Sequence, residues 1–204
     1  YTTGIHRTRK GEGEKRDDSI SRARINIYRL IQANVRRYND RRGVFVTYTF
    51  KEPCRELSSA YKEFKKYVRR YNAHYDTKLK YIVVPELHTK YPKSTHYHTW
   101  HLHAVLFNVD SLDFKVHDKL WGLGRIRTKR VKGSDGLAKY LAKYLTKDTM
   151  SRLFNKKMYA TSRGLFRPVE IYGDKSLDET IDSDKLKVIK SYEGKNALYL
   201  TYGI

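Results

Sequence analysis

Residues 99–107, "TWHLHAVLF", form an apolar run broken only by two histidines one residue apart. Such a run reads as a buried strand, and strand geometry sends alternate side chains to opposite faces. Trp100, Leu102, Ala104 and Leu106 then share a face that needs a packed layer, while His101, His103 and Val105 share the other. "KYIVVPEL" (80–87) is expected to pair with this strand as a hairpin, with His96 and His98 in the connecting loop. "GVFVTYTF" (43–50) has the β-branched and aromatic composition of a third strand. "GRIRTKRV" (124–131) alternates apolar or small residues with cations, as a half-exposed strand does. "KKMYATSRG" (156–164) is a fifth candidate, and "ALYLTYGI" closes the chain as another.

Helices separate these strands. Ile20, Ile27, Leu30, Ile31 and Val35 are spaced for a helix starting near Asp18, with Asp17, Asp18 or Ser19 as its N-cap. Pro53 breaks the chain before a basic amphipathic helix over 55–73, and further helices are expected over 112–120 and 135–147. The fold class is therefore α+β: a central antiparallel sheet of about five strands with helices packed on it. Residues 1–17 are polar and charged with little to bury, and read as a mobile basic arm ahead of one domain over 18–204. The acidic segment 174–185 runs against the trend and reads as a solvated helical face.

Charge narrows the partners. Lys and Arg number 43 against 22 Asp and Glu, a formal net charge of +21. So large an excess points to a polyanion, and nucleic acid is the first choice. No stretch reaches the roughly 20 apolar residues of a membrane span, and no segment reads as a signal peptide. The single cysteine, Cys54, excludes an internal disulfide framework and fits a reducing compartment, so a cytoplasmic location is expected, in a bacterial host or similar. The chain opens on Tyr1 rather than Met and is expected to be a piece of a longer protein.

The two histidines lie about 7 Å apart along their strand, at roughly 3.3 Å of rise per residue, so both rings can converge on one cation. Two neutral imidazoles leave a divalent ion wanting an oxygen ligand. Glu86, on the adjoining strand, is a candidate; His88 has the same parity and competes. An ordinary hydrogen-bonded histidine pair is the alternative. His96 and His98 read as loop residues beside a Pro-Lys-Ser-Thr turn.

"GLAKYLAKYLTK" (136–147) repeats Tyr-Leu-x-Lys. At 100° per residue, Leu137, Ala138, Leu141, Ala142 and Leu145 fill an arc about 140° wide. Tyr140 and Tyr144 fall together beyond one edge, with Lys143 and Lys147 further round. A phenol can attack a phosphodiester and hold the cut strand covalently. Among 18 tyrosines such pairs also arise as packing, as Tyr67 with Tyr71 and Tyr71 with Tyr75 show, so this pair counts only in combination.

That combination resembles the HUH endonucleases, in which a histidine–hydrophobe–histidine strand holds a metal and a helix carries the nucleophilic tyrosine. Conjugative relaxases place the tyrosine upstream; replication initiators place it downstream, as here. Two tyrosines three residues apart resemble the subgroup typified by the gene A replication proteins of small isometric single-stranded DNA phages, with relatives among plasmid and satellite-phage initiators. "FVTYTF", "VPELH", "HTWHLHAVLF", "LWGLGRIR", "YLAKYLTK" and "YATSRGLFRP" match that pattern in order, over about 45–168. The resemblance implies His101, His103 and Glu86 as ligands of Mg²⁺ or Mn²⁺, Tyr140 and Tyr144 as nucleophiles, and Lys143 as the motif lysine.

It further implies a rolling-circle replication initiator that nicks and joins single-stranded or hairpin origin DNA through a 5′-phosphotyrosine. Arg125, Arg127, Lys129, Arg130, Lys147 and Arg163 are candidate DNA contacts, the first three on one strand face; a merely solvated basic face is the alternative. No G-x-x-x-x-G-K-[ST] is present, so unwinding falls to a helicase, and the free 3′-OH to a host polymerase. Two other readings remain open: a single-strand transposase, and a non-catalytic basic DNA-binding protein. An oxygenase built on two histidines and a carboxylate would space its ligands as H-x-[DE] with a distant histidine, unlike His101-Leu102-His103.

Overall fold

The computed structural model describes residues 12–39, 43–90, 92–109, 113–129, 133–145, 149, 153, 157–168, 187–194 and 197–203. They run α1 (Glu12–Asn39), β1 (Val44–Tyr48), α2 (Leu57–Tyr75), β2 (Tyr81–His88), β3 (Thr99–Leu106), α3 (Phe114–Trp121), β4 (Ile126–Lys129), α4 (Gly133–Ala142), β5 (Ala160–Thr161), β6 (Lys187–Gly194) and β7 (Ala197–Gly203). Five strands form one antiparallel sheet in the order β4-β1-β3-β2-β5, the α+β architecture expected. The chain divides into two compact units, Tyr1–Pro168 and Val169–Ile204. The second contains the β6–β7 hairpin, a sheet of its own with a register shift between Val188 and Lys190. No helix among the described residues is long and apolar enough to cross a membrane.

β3 is the centre of the sheet, and both of its faces are buried. On one face Tyr48 of β1 meets Phe64 and Tyr67 of α2 and Trp121 of α3, with ring centroids 5.0–5.2 Å apart. α2 buries Leu57, Ala60, Phe64, Tyr67 and Tyr71, a stripe at helical spacing. Tyr67 and Tyr71 are thus core residues. On the other face α4 packs, with α1 against it. Gly43 lies between the two layers there: a Cβ would press on Leu137 of α4 and Val105 of β3, each 3.0 Å away. Ile20, Ile27, Leu30, Ile31 and Val35 of α1 are all buried, as their spacing requires.

Local chemistry explains the boundaries. α3 starts where the Asp113 carboxylate caps the N–H groups of Lys115 and Val116, and stops at Gly122 in the left-handed region. Gly124 then passes so close to β1 that any side chain would collide with the Thr49 carbonyl, and the Trp121 indole donates to that carbonyl at 2.8 Å. This turn feeds β4 into register against β1. Pro85 sits in β2 beyond the end of β5, on the side where the next outward N–H, of Leu87, is taken by the Thr149 hydroxyl.

Three boundaries differ from the sequence expectation. α1 begins at Glu12, ahead of the Asp18 start that the capping residues suggested. The strand expected over 156–164 shrinks to Ala160–Thr161, which pair only with Val83 and Ile82. The helix expected over 135–147 spans Gly133–Ala142, and the chain then tightens: Tyr144 donates to Leu141 and Leu145 to Ala142, three-residue bonds rather than four. The acidic segment 174–185 lies outside the described residues.

Candidate active site

Antiparallel register sets the site, because residues directly opposite each other project from the same face. Glu86 of β2 lies opposite His101 of β3, and Val84 opposite His103. Thr47 of β1 lies opposite both His103 and Arg127, and Phe45 opposite both Val105 and Lys129. The carboxylate, the two imidazoles, a threonine hydroxyl and two cations of β4 therefore share the face that α4 covers. Arg125, next in alternation, exchanges hydrogen bonds with Thr49, its N–H donating to the hydroxyl and its carbonyl accepting from it. Arg125, Arg127 and Lys129 are all exposed, with Ile126 buried between them.

His103 is held on every side. One ring nitrogen, Nε2, is 2.7 Å from Glu86 Oε2, and the other, Nδ1, is 3.0 Å from the Thr47 hydroxyl. The Tyr144 ring lies flat on the imidazole, centroids 3.5 Å apart and planes 11° from parallel. Burial pushes the His103 pKa down against the pull of Glu86, so the imidazole is neutral at pH 7. Burial likewise brings His101 down to about 4, with the neighbouring His103 adding to the effect. Burial alone would raise the Glu86 carboxyl, but the hydrogen bond and charge of His103, with His101 and Lys143, outweigh it and hold the group below the usual range. The set is one carboxylate and two neutral imidazoles, the donor chemistry a divalent ion takes.

Among the described residues no three acidic, histidine or cysteine side chains stand as a ready metal cluster. The reason is local: Glu86 and His103 point at each other rather than at a shared point. The residues still fit an ion, because the Thr47 hydroxyl can accept as well as donate, which lets the imidazole carry its proton on Nδ1 and free Nε2. His88 is placed differently from Glu86. Its ring stacks on that of His101, centroids 5.4 Å apart, and its Nδ1 is 3.2 Å from the His96 carbonyl. A ring stacked face to face does not aim its in-plane lone pair at its neighbour's. His96 and His98 lie in the loop as expected, His96 bonding the Lys51 carbonyl at 2.9 Å.

The two tyrosines are brought together unequally. Tyr140, on α4, is half-buried, edge-on to Phe45 at 4.6 Å, with the ammonium groups of Lys143 and Lys129 4.1 and 4.4 Å from its ring centre. Tyr144 is buried at 9% exposure, against His103 and Phe45. The even margin expected of a continuous helix is corrected by the tightened turn after Ala142, which rolls Tyr144 inward onto the imidazole. Burial pushes the Tyr144 phenol well up. For Tyr140 a hydrogen bond from Tyr144, with Lys143 and Lys129, outweighs desolvation and lowers the pKa.

Of the remaining candidates, Arg163 is exposed in the turn after β5, where its carbonyl accepts from Lys80 at the opposite end of β2 from Glu86, so it is not beside the histidines. Arg130 and Lys147 lie outside the described residues. Sequence reasoning missed Thr47 and the second role of Lys129. The available signal for Thr47 was a polar residue interrupting an apolar strand, as the histidines interrupt theirs.

The segment that carries these strands and α4, residues 43–149, matches the family of the replication-associated protein ORF2, and covers over half of the chain. The chain belongs to that family. No curated protein and no solved structure matches it. The family places the chain among Rep-type replication proteins, and its matched segment contains Glu86, His101, His103, Tyr140, Lys143 and Tyr144 together.

Proposed function

We propose that this member of the replication-associated family initiates rolling-circle DNA replication by cutting and rejoining one DNA strand through tyrosine. One observation carries the reading: Glu86, His101 and His103 project from the same sheet face onto which α4 and its last turn bring Tyr140, Tyr144 and Lys143. A donor set for a divalent ion, two phenols and an ammonium group are together what phosphodiester exchange through tyrosine requires.

The chain's residues divide the work. Arg125 and Arg127 hold backbone phosphates of single-stranded or hairpin origin DNA beside the site, and Lys143 supplies positive charge where the phosphorane forms. A divalent ion, Mg²⁺ or Mn²⁺, held by His101, His103 and Glu86, would polarise a non-bridging oxygen of the scissile phosphate. A phenol oxygen forms the bond to phosphorus, the 3′ oxygen leaves and takes a proton, and the strand end stays on the enzyme as a 5′-phosphotyrosine. The free 3′-OH serves a host polymerase, with a helicase opening the duplex. The second phenol cuts the regenerated site, and the 3′-OH then closes the first strand into a circle. Each exchange conserves one phosphodiester, so no nucleotide hydrolysis is needed.

The test is covalent capture. A labelled pool of randomised single-stranded DNA, incubated with the chain and Mn²⁺, should give a protein–DNA band stable to denaturant. Chelation should remove the band, and His101→Ala and His103→Ala should each lower it by about two orders of magnitude while DNA retention on a filter persists. A double Tyr140→Phe, Tyr144→Phe variant that still forms the band, or full activity in chelator, overturns the proposal. Closed circles from a substrate bearing two cut sites distinguish an initiator from a strand transposase.

A further inference from the structure

The two phenols differ in everything a first attack depends on: exposure, neighbours and freedom to move. Tyr144 is sandwiched, its ring flat against His103 at 3.5 Å and near-parallel to Phe45 at 5.9 Å, with only 9% of its surface exposed. Tyr140 stands outside it, half-buried, between Lys143 from the following turn and Lys129 from β4. β1 offers only the uncharged edge of Phe45 to this ring. Lys129 was expected to be a DNA contact like Arg125 and Arg127. Its register opposite Phe45 instead aims its ammonium across the sheet at Tyr140.

We propose that Tyr140 makes the first cut, that Lys129 is a positioning residue for its phenol, and that Tyr144 is withheld for the second cut. This assigns an order and a partner within the tyrosine chemistry proposed above and rests on that reading. A phosphate arriving from solvent meets Tyr140 before Tyr144, and two ammonium groups already flank the ring on which negative charge develops. Tyr144 must first slide off His103. The Tyr140 proton goes to solvent; the phenolate oxygen bonds to phosphorus as the bond from phosphorus to the 3′ oxygen breaks; that oxygen takes a proton from water. Atoms and charge balance with no further reactant. The shifts of the two phenols run the same way, Tyr140 downward through its hydrogen bond with Tyr144 and the two lysines, and Tyr144 upward through burial.

The sequence provides its own assay. Trypsin cuts after Lys139, Lys143 and Lys147, so Tyr140 and Tyr144 fall in different peptides, 140–143 and 144–147. The chain is trapped on the randomised single-stranded DNA pool with Mn²⁺, digested with nuclease and trypsin, and the nucleotide-bearing peptide is weighed. The early adduct should sit on 140–143 in at least about a tenfold excess. Tyr144→Phe should slow adduct formation several-fold yet leave it on 140–143. Lys129→Gln should slow it about tenfold while DNA affinity falls no further than in Arg127→Gln, and Lys129→Arg should restore most of the rate. An early adduct on 144–147, or an even split, overturns the order and leaves the nuclease reading standing. Loss of affinity without extra loss of rate in Lys129→Gln overturns its positioning role. No adduct from the unaltered chain overturns both proposals.

Discussion

A histidine bonded through both ring nitrogens holds one proton between two partners, and at His103 those partners are a carboxylate and a hydroxyl that can reverse its role. Thr47 therefore governs whether Nε2 is available to an ion. Thr47→Val keeps the shape and removes the hydroxyl, leaving Nδ1 buried without a partner, a cost of about 1–3 kcal/mol. We expect Mn²⁺ affinity, measured by calorimetric titration, to fall at least about tenfold, with Thr47→Ser near the unaltered chain. Equal affinity in Thr47→Val removes the hydroxyl from the site's design. His101, His103 and Glu86 were legible in the sequence because strand alternation and a hairpin are local facts. Thr47 and Lys129 were not: their places depend on the register of β1 against β3 and β4, pairings distant in sequence that no local pattern encodes.

Among the elements, strands and helices were readable wherever apolar spacing was strong, as in α1, α2 and β3. The end of α4 was not, because Ala, Leu and Lys continue the helical pattern past Ala142 with no Gly or Pro to stop it. Tertiary contacts set the end: the Arg24 guanidinium donates to the Leu145 carbonyl at 2.7 Å, and Tyr144 docks on His103. α3 is fastened to α2 in a way the sequence also hid. His117 is 1% exposed, its Nδ1 2.7 Å from the Tyr67 hydroxyl, and its Nε2 has no partner. Burial brings its pKa down to about 4. The unfolded chain, with an ordinary imidazole, binds the proton first as pH falls. Stability from this group is thus complete above about pH 6.5, is lost as pH drops towards 4, and is level below that, a total of about 3 kcal/mol. Urea unfolding from pH 7 to 4 should show this decline, His101 contributing in the same window, and His117→Gln should flatten it. An unchanged pH slope in that variant means that His117 is not the group being charged.

For the molecule as a whole, the decisive quantity is where the +21 charge meets DNA. Two exposed cationic surfaces compete. Arg125 and Arg127 stand on the sheet face that carries His101, His103 and Glu86. Lys62, Lys65 and Arg69 form an exposed stripe on α2, which packs on the opposite face. Net charge alone attracts DNA to both, but each phosphate neutralised by a bound cation releases counterions, and single strands lose about 0.7 of a unit of log–log salt slope for each contact removed. If the strand runs past the phenols, Arg125→Gln with Arg127→Gln should flatten the slope by about one and a half. Lys129→Gln should change it little, since that ammonium faces Tyr140 rather than a phosphate. Lys62→Gln, Lys65→Gln and Arg69→Gln together should lower affinity at low salt through the long-range field while leaving the slope nearly intact. Fluorescence anisotropy of a labelled single strand across a salt series measures all three. A slope that falls with the α2 variant and not with the β4 variant places the strand on the far side of the sheet, out of reach of Tyr140 and Tyr144, and removes the physical basis for cutting.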